Sequence, residues 1–512
     1  MTKNFYITTP IYYVNDKPHI GHAYTTLACD VSARFKRLDG YDVFFLTGTD
    51  EHGQKVEKSA EKAGVSPQEF TDKVSQNFRD LLGVMNFSND EFIRTTEERH
   101  KKACNAIWDK LIANGHIYLG SYEGWYAVRD EAYYDEDELI EKDGVKLAPS
   151  GAEVEWVAEA SYFFNLSKWG DKLLELYNTT DFISPTSRLN EIKSFVEGGL
   201  RDLSISRTTF KWGVPVNTDK NHIMYVWLDA LTNYLTAVGF PDEKNEMYKK
   251  YWGADLHVIG KDIVRFHTVY WPAFLMAADL PLPKRVFAHG WWTNEGEKIS
   301  KSTGNVIDPV ELVNEFGLDQ VRYFMMREVP FGNDGDFSKT AIIGRMNFDL
   351  ANNLGNFCQR SLSMIGKNCD GILPKATLLD EDTALINRAG AVLEEVRMHI
   401  DNNAYNKALE SIWSVIGEAN RYVDTQAPWG LKKTDFARME TVLYTCAETA
   451  RRFALLLLPF MPESASKILA LVSVNSADVS FADIEKNLVS GTPLPTPQGI
   501  FPRHAETDGK AV

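Results

Sequence analysis

The sequence predicts an α/β chain: a parallel sheet wound with helices, split by an inserted domain, and followed by an α-helical bundle. Three observations carry this. The first ~65 residues alternate strand, loop and helix patterns. Residues 116–220 break the alternation with an aromatic, turn-rich, strand-like stretch, after which strand and helix patterns resume. From about residue 350 onward, apolar positions recur every three or four residues, the period of amphipathic helices. At 512 residues the chain exceeds one ordinary core, so several domains are expected.

Each element has its own signature. FYITT (5–9) is aromatic and β-branched, as a buried strand requires. After a loop holding Pro10 and Pro18, a helix runs from about Ile20 to Leu38, with Ala23, Leu27, Val31 and Phe35 on one stripe and Gly40 as its stop. YDVFFLT (41–47) reads as a strand buried on both faces and runs into the glycine-bracketed loop GTDEHG (48–53). The charged helix QKVEKSAEKAG follows, and Pro67 opens another. Beyond the interruption, LHVIG (256–260) reads as a strand, DIVRFHTVYWPAFLMAA as one helix and RVFAHGWW (285–292) as a further strand. A sheet that starts, is interrupted and resumes is a split Rossmann-type fold. Further on, Leu409, Ile412, Ile416 and Ala419 mark the buried face of a long bundle helix. The chain therefore divides into 1–115 and 223–292 as two halves of the sheet domain, 116–222 as the insertion, 293–352 as a connecting region, 353–490 as the bundle and 491–512 as a Pro-rich, then polar tail that is draped or disordered.

Composition excludes several classes. With 44% apolar and 25% charged residues the chain is an ordinary soluble protein. A formal net charge of −16 means that any nucleic-acid role needs a local basic surface. Cys29, Cys104, Cys358, Cys369 and Cys446 form no C-x-x-C pair, so neither a zinc knuckle nor a disulfide framework is suggested, and a reduced cytoplasm is the expected compartment. The N-terminus has no signal-type apolar core, and the strongest apolar run, FALLLLPFM (453–461), is too short to span a membrane.

Two stretches carry chemistry. KPHIGHAY (17–24) sets His19 and His22 three residues apart at a helix start, hence on one helix face. Such a pair can hold a metal, cradle an anion, or simply pack. A metal needs further ligands, and His52 is the only local candidate. An anion suits the site better: backbone N–H groups and the positive dipole end lie beneath the histidines, and Gly21 lets a ligand lie against the backbone. The second stretch, GEKISKSTGN (296–305), puts Lys298 and Lys301 on a glycine-rich loop able to close onto a charge that grows during a reaction.

HIGH near the N-terminus with KISKS nearly 280 residues later resembles the signature pair of class I aminoacyl-tRNA synthetases, with Ile299 standing where the family usually has methionine. ITTPIYYVNDKPHIGH, FLTGTDEHG, YVWLDALTNY (225–234), HVIGKDIVRFHTVYWP (257–272) and QAPW (426–429) narrow this to a resemblance to the methionyl-tRNA synthetases, running from residue 4 to about 460. The resemblance implies ATP-dependent attachment of L-methionine to tRNA(Met), initiator and elongator, through a methionyl-adenylate. It implies catalysis by His19, His22, Lys298 and Lys301, and ATP contacts from His19, Gly21, His22, Gly260, Asp262, Ile299 and Lys301, with Mg2+ entering on the nucleotide. Methionine would lie among Ile11, Tyr13, Trp227, Ala230, Tyr234, Ile263, His267 and Trp271, with Asp50 on its ammonium. The region 293–352 becomes the stem-contact region. The bundle becomes an anticodon-binding domain read by Asn356, Arg360, Pro428 and Trp429, with Lys432 and Lys433 near phosphates. Many relatives hold zinc through C-x-x-C pairs in the insertion; the matching segments here are AVRD (127–130) and APSG (148–151), so no structural zinc is expected. No dimer-forming module follows the bundle, which implies a monomer. A nucleotidyltransferase would share the H-x-G-H cradle, but such enzymes lack the helical bundle; a synthetase-like binding protein without activity is the non-enzyme alternative.

Overall fold

The computed structural model describes residues 3–14, 17–130, 132–142, 144–299 and 305–504. Seven strands form the central sheet: β1 (Asn4–Thr8), β2 (Tyr12–Tyr13), β3 (Asp42–Asp50), β4 (Glu91–Arg94), β5 (Ile183–Ser184), β6 (Leu256–Gly260) and β7 (Val286–His289). All pairings are parallel, in the order β5–β7–β6–β1–β3, with β4 on β3 and β2 at the end of β3 opposite Thr49 and Asp50. Register across the split is direct: Ile7 pairs with Leu256 and Thr8 with His257.

Strand side chains alternate between faces, and two cores result. Ile7 and Phe45 join the helix Ile20–Leu38 and the C-terminal helices in one core. Tyr6, Phe44 and Leu46 join Trp108, Phe164 and Trp271 in the other. Ala23, Leu27, Val31 and Phe35 are fully buried, as their spacing requires, and Gly40 follows the helix end with φ +82°, a value that an L side chain resists. One buried guanidinium ties the helix Ile20–Leu38 to the bundle: Arg322 Nη2 donates to Asp30 at 2.7 Å, and its other nitrogens donate to the carbonyls of Met85 and Phe460.

The insertion is built on a long antiparallel pair, Ile117–Ala127 with Glu155–Phe164, in which Trp125 faces Trp156. It departs from the sequence expectation in one respect. β5 lies inside 116–222 yet pairs with β7, Ile183 opposite Val286, so the parallel sheet resumes before residue 223. Two residues are too few to display strand periodicity. The expected single helix over 262–278 is three pieces: a 3₁₀ turn Lys261–Ile263, a π-helical turn Phe266–Tyr270 and the α-helix Trp271–Ala277. The expected strand 285–292 ends at His289, and the next residue, Gly290, lies so close to the Asn333 carbonyl that a Cβ there would sit 2.1 Å from it.

The bundle comprises Asn356–Asn368, Asp380–Asp401, Tyr405–Gln426, Phe436–Leu457 and Pro462–Leu471 among its helices, and Leu409, Ile412, Ile416 and Ala419 are fully buried in it. The tail is draped rather than loose as far as His504: Leu373 N–H donates to Thr492 O, Leu494 N–H to Gly371 O, and Phe501 is buried. Among the described residues no helix is long and apolar enough to cross a membrane.

Candidate active site and anticodon-reading surface

A cavity of about 660 Å³ opens beyond the carboxyl ends of the central strands. Four strand ends feed it: Pro10 to Tyr13 after β1, Asp50 closing β3, Gly260 closing β6 and His289 closing β7. Ligands of open parallel sheets bind at this edge because the loops there diverge and leave a crevice.

The histidine pair is built differently from its sequence reading. His19 is not on the helix face; it is the N-cap, in extended backbone at φ −127°, ψ 176°. Its Nδ1 accepts from Gly21 N–H at 3.1 Å, and His22 Nδ1 accepts from His19 N–H at 3.0 Å. This reciprocal cap satisfies two orphan donors of the first turn, and it brings the two rings together, tilted by 34° with centroids 3.9 Å apart. With Nδ1 accepting, each neutral imidazole carries its proton on Nε2. Both rings line the cavity, so the pair is a set of N–H donors suited to an anion. Gly21 serves this arrangement: a Cβ there would lie 2.9 Å from His19 Cε1. His52 is turned away, with Nδ1 2.7 Å from Asp229, and gives the pair no third ligand.

Ile11, Tyr13, Asp50, Trp227, Ala230, Tyr234, Ile263 and His267 all line the same cavity, as do Gly260, Asp262 and Ile299. The aromatic wall is rigid. Trp227 stacks on Phe266 at 3.7 Å with the planes 6° apart. The Tyr234 hydroxyl donates to His267 Nε2 at 2.7 Å, because His267 Nδ1–H is given to the Ile263 carbonyl at 3.0 Å. Burial pushes the His267 imidazole down to about 4, so it is neutral in the pocket. Trp271 is the exception: fully buried, it lies behind Tyr234, 6.1 Å between centroids, and does not reach the cavity. Of Lys298 only the backbone is described, pairing Thr293 in a short strand Glu297–Lys298; Lys301 lies outside the described residues.

Sequence reasoning missed several lining residues. His289 Nε2 meets Thr25 Oγ1 at 2.7 Å, and Trp291 Nε1 donates to Asp262 at 3.1 Å. His289 closes a parallel strand and Trp291 follows its carboxyl end, a signal carried by the sequence. Lys55 reaches the wall from the helix Gln54–Ala63. Arg129 and Asp130 come from the insertion, in AVRD itself. There Ala127, Ala148 and Ala152 pack as a small core, Arg129 Nη2 donates to the Ser150 carbonyl at 2.6 Å, and Tyr134 donates to Asp130 at 3.0 Å. Neither AVRD nor APSG offers a thiolate or imidazole to a zinc ion.

At the far end, Asn356 and Arg360 stand one turn apart on the helix Asn356–Asn368. The Arg360 guanidinium lies 5.8 Å from the Trp429 ring centroid and donates to Asp424 at 2.8 Å. Pro428 opens a short helix Pro428–Thr434, Trp429 follows half exposed, and Lys432 and Lys433 occupy its last turn. Asn356 also lines a second cavity of about 440 Å³ with Gln359, Phe501 and Arg503. An exposed indole beside a guanidinium and an amide can stack a splayed base and bond its edge.

Comparison with known proteins agrees with this geometry. Residues 5–362 match the family model for class I tRNA synthetases (M), and residues 373–511 match the anticodon-binding domain of methionyl tRNA ligase. The chain is 58% identical to the methionine–tRNA ligase of Brucella suis, over 99% of each protein. It is 56% identical to that of Rickettsia conorii, over 98% of this chain and 100% of the other. Among solved structures it superposes on Mycobacterium tuberculosis methionyl-tRNA synthetase in complex with methionyl-adenylate with a TM-score of 0.96 at 53% identity, covering 98% and 100% of the chains. On the apo form of that enzyme the TM-score is 0.90, at 49% identity over 99% of each. The fold, the two family models and these full-length matches together establish that the chain belongs to the methionyl-tRNA synthetases of class I, enzymes that attach methionine to tRNA(Met) through a methionyl-adenylate.

Proposed function

We propose a division of labour among the residues of the large cavity for methionine activation. Asp50 takes the α-ammonium, since a cation entering a partly dry site needs a carboxylate. Ile11, Tyr13, Trp227, Ala230, Tyr234, Ile263 and His267 enclose the thioether, which is favoured against aromatic rings, with Trp271 as the layer behind Tyr234. ATP enters as its Mg2+ complex. Gly260 and Asp262 lie near the ribose, Ile299 near the adenine, and His19, Gly21 and His22 at the phosphates. The methionine carboxylate attacks the α-phosphorus in line, the bond to the β-phosphate oxygen breaks, and Mg-pyrophosphate leaves under Lys298 and Lys301. A ribose hydroxyl of the tRNA end then attacks the acyl carbon, and AMP leaves. No protein nucleophile is required; positioning and charge stabilisation do the chemistry.

The observation that carries this reading is the convergence of the paired histidine N–H donors, the Asp50 carboxylate and the Trp227–Tyr234–His267 wall on one cavity. Methionine-dependent ATP–pyrophosphate exchange, run beside a panel of other amino acids, tests it. Exchange with methionine alone is expected; equal exchange with leucine or valine would overturn the pocket assignment.

Asn356, Arg360, Pro428 and Trp429 read the anticodon of initiator and elongator tRNA(Met), with Lys432 and Lys433 on phosphates. The segments act as two catalytic halves, a zinc-free insertion over the cavity, a stem-contact region, an anticodon-binding bundle and a strapping tail. The enzyme works as a cytoplasmic monomer, free of any membrane.

A further inference from the structure

Behind the methionine pocket four buried side chains meet: His52 of the GTDEHG loop, His100 and Cys104 one turn apart on the helix Glu98–Ala113, and Asp229 on the helix Val226–Leu231. Asp229 accepts from both imidazoles, from His52 Nδ1 at 2.7 Å and His100 Nε2 at 2.8 Å. Cys104 Sγ lies 3.2 Å from His100 Nε2. Burial alone would raise the Asp229 carboxyl; the imidazoles outweigh it and hold the group well below the usual carboxylate range. Three of them, His100, Cys104 and Asp229, are also a metal donor set. The spacing decides against that use, since ligand atoms around a tetrahedral zinc stand about 3.3 Å or more apart, given bonds of roughly 2.0–2.3 Å. The observed 2.7 and 2.8 Å are charge-assisted hydrogen bonds.

The network joins two parts of one site. His52 is two residues from Asp50, and Asp229 stands between Trp227 and Ala230. The loop is pinned on its other side as well: Glu51 accepts from Arg94 Nε at 2.7 Å and Nη2 at 2.9 Å, and its carbonyl accepts from Trp212 Nε1 at 2.6 Å. With Glu51 and His52 both held, Asp50 has little freedom at the cavity rim.

We propose that His52, Asp229 and His100 form a positioning relay for methionine, holding the Asp50 carboxylate at a set distance from the Trp227–Ala230 wall so that ammonium and thioether are recognised together. The proposal rests on the assignment of Asp50 to the ammonium, and the experiment separates the two. Binding of methionine is compared with that of 4-(methylthio)butanoate, which lacks only the ammonium. His52→Ala is expected to shrink the preference for methionine by about tenfold or more, the scale of one charge-assisted hydrogen bond, while leaving the affinity for the deaminated acid and the KM for ATP unchanged. His52→Asn, whose amide N–H falls near the lost Nδ1–H, restores most of it; His52→Gln, with its donor displaced, does not. Asp50→Asn is the control. If it keeps the preference, the ammonium assignment fails. If it loses the preference while His52→Ala keeps it, or weakens both ligands alike, the relay fails. Should His52→Ala not fold, equal behaviour of the Asn and Gln variants overturns the proposal, as would one equivalent of zinc per chain in the purified enzyme.

Discussion

The large cavity and the exposed end of the bundle are built in opposite ways. In the large cavity Tyr234 is 1% and His267 2% exposed, each fixed by hydrogen bonds before any ligand arrives. At the bundle end Trp429 is 50% exposed, with the Arg360 guanidinium beside its ring. A small apolar side chain offers little to grip, and a pocket separates near-homologues by only about 1–3 kcal/mol per methylene, so its walls must be rigid. A nucleotide base brings a broad face and several edge groups, so a platform is enough. Rigidity is thus concentrated where the ligand is least informative.

Substitutions can break this contrast or sharpen it. The largest effect is expected from Lys301→Ala: adenylate formation in pre-steady-state assays falls by about 100- to 1,000-fold, as when one oxyanion-type donor is removed, while methionine binding is retained. Equal losses in both would erase the distinction between ground-state pocket and transition-state clamp. Next is Trp429→Ala. Loss of one base stack, about 1–3 kcal/mol, lowers kcat/KM for tRNA charging by roughly 10- to 100-fold, while ATP–pyrophosphate exchange stays within about twofold. Loss of exchange would mean that the ends are not separable.

Gly21→Ala changes stability little and activity more. Alanine in place of glycine adds up to about 1 kcal/mol of helix stability, but the new Cβ displaces His19 and its cap, a loss of about the same size, and slows adenylate formation by about tenfold. A variant both more stable and fully active would refute the reading of Gly21 as a seat for the imidazole. The smallest effect is a null: His267, pushed down to about 4, stays neutral throughout histidine's ordinary range. Its ring resonances in NMR should not titrate between about pH 5.5 and 8; a midpoint near 6.5 would unseat the fixed Tyr234–His267 bond.

What the sequence disclosed follows from how strongly physics constrains each feature. The helix Ile20–Leu38 and the bundle face through Leu409 and Ile416 repeat long enough for periodicity to show. Pocket residues such as Trp227 were reachable through family motifs, but depth was not: a tryptophan in the first layer and one in the second, as Trp271 is, look alike in a string of letters. The cap role of His19 was hidden because histidine is not among the favoured N-caps. The π-helical turn Phe266–Tyr270 was hidden because the apolar pattern does not report the hydrogen-bond register of its backbone. Arg129 reached the wall only by folding of the insertion over the cavity, which nothing local encodes.

The interrupted sheet has a consequence for synthesis. β1 gains its neighbour β3 after a single helix, but its other edge waits for β6, whose Leu256 pairs with Ile7. At ~5–20 residues per second, the ribosome needs roughly ten to forty seconds to make the intervening chain. For that interval the nascent chain carries an open strand edge rich in apolar side chains, the kind of surface that recruits wrong partners. The insertion that helps to wall the cavity therefore also lengthens the time for which the unfinished protein must be shielded.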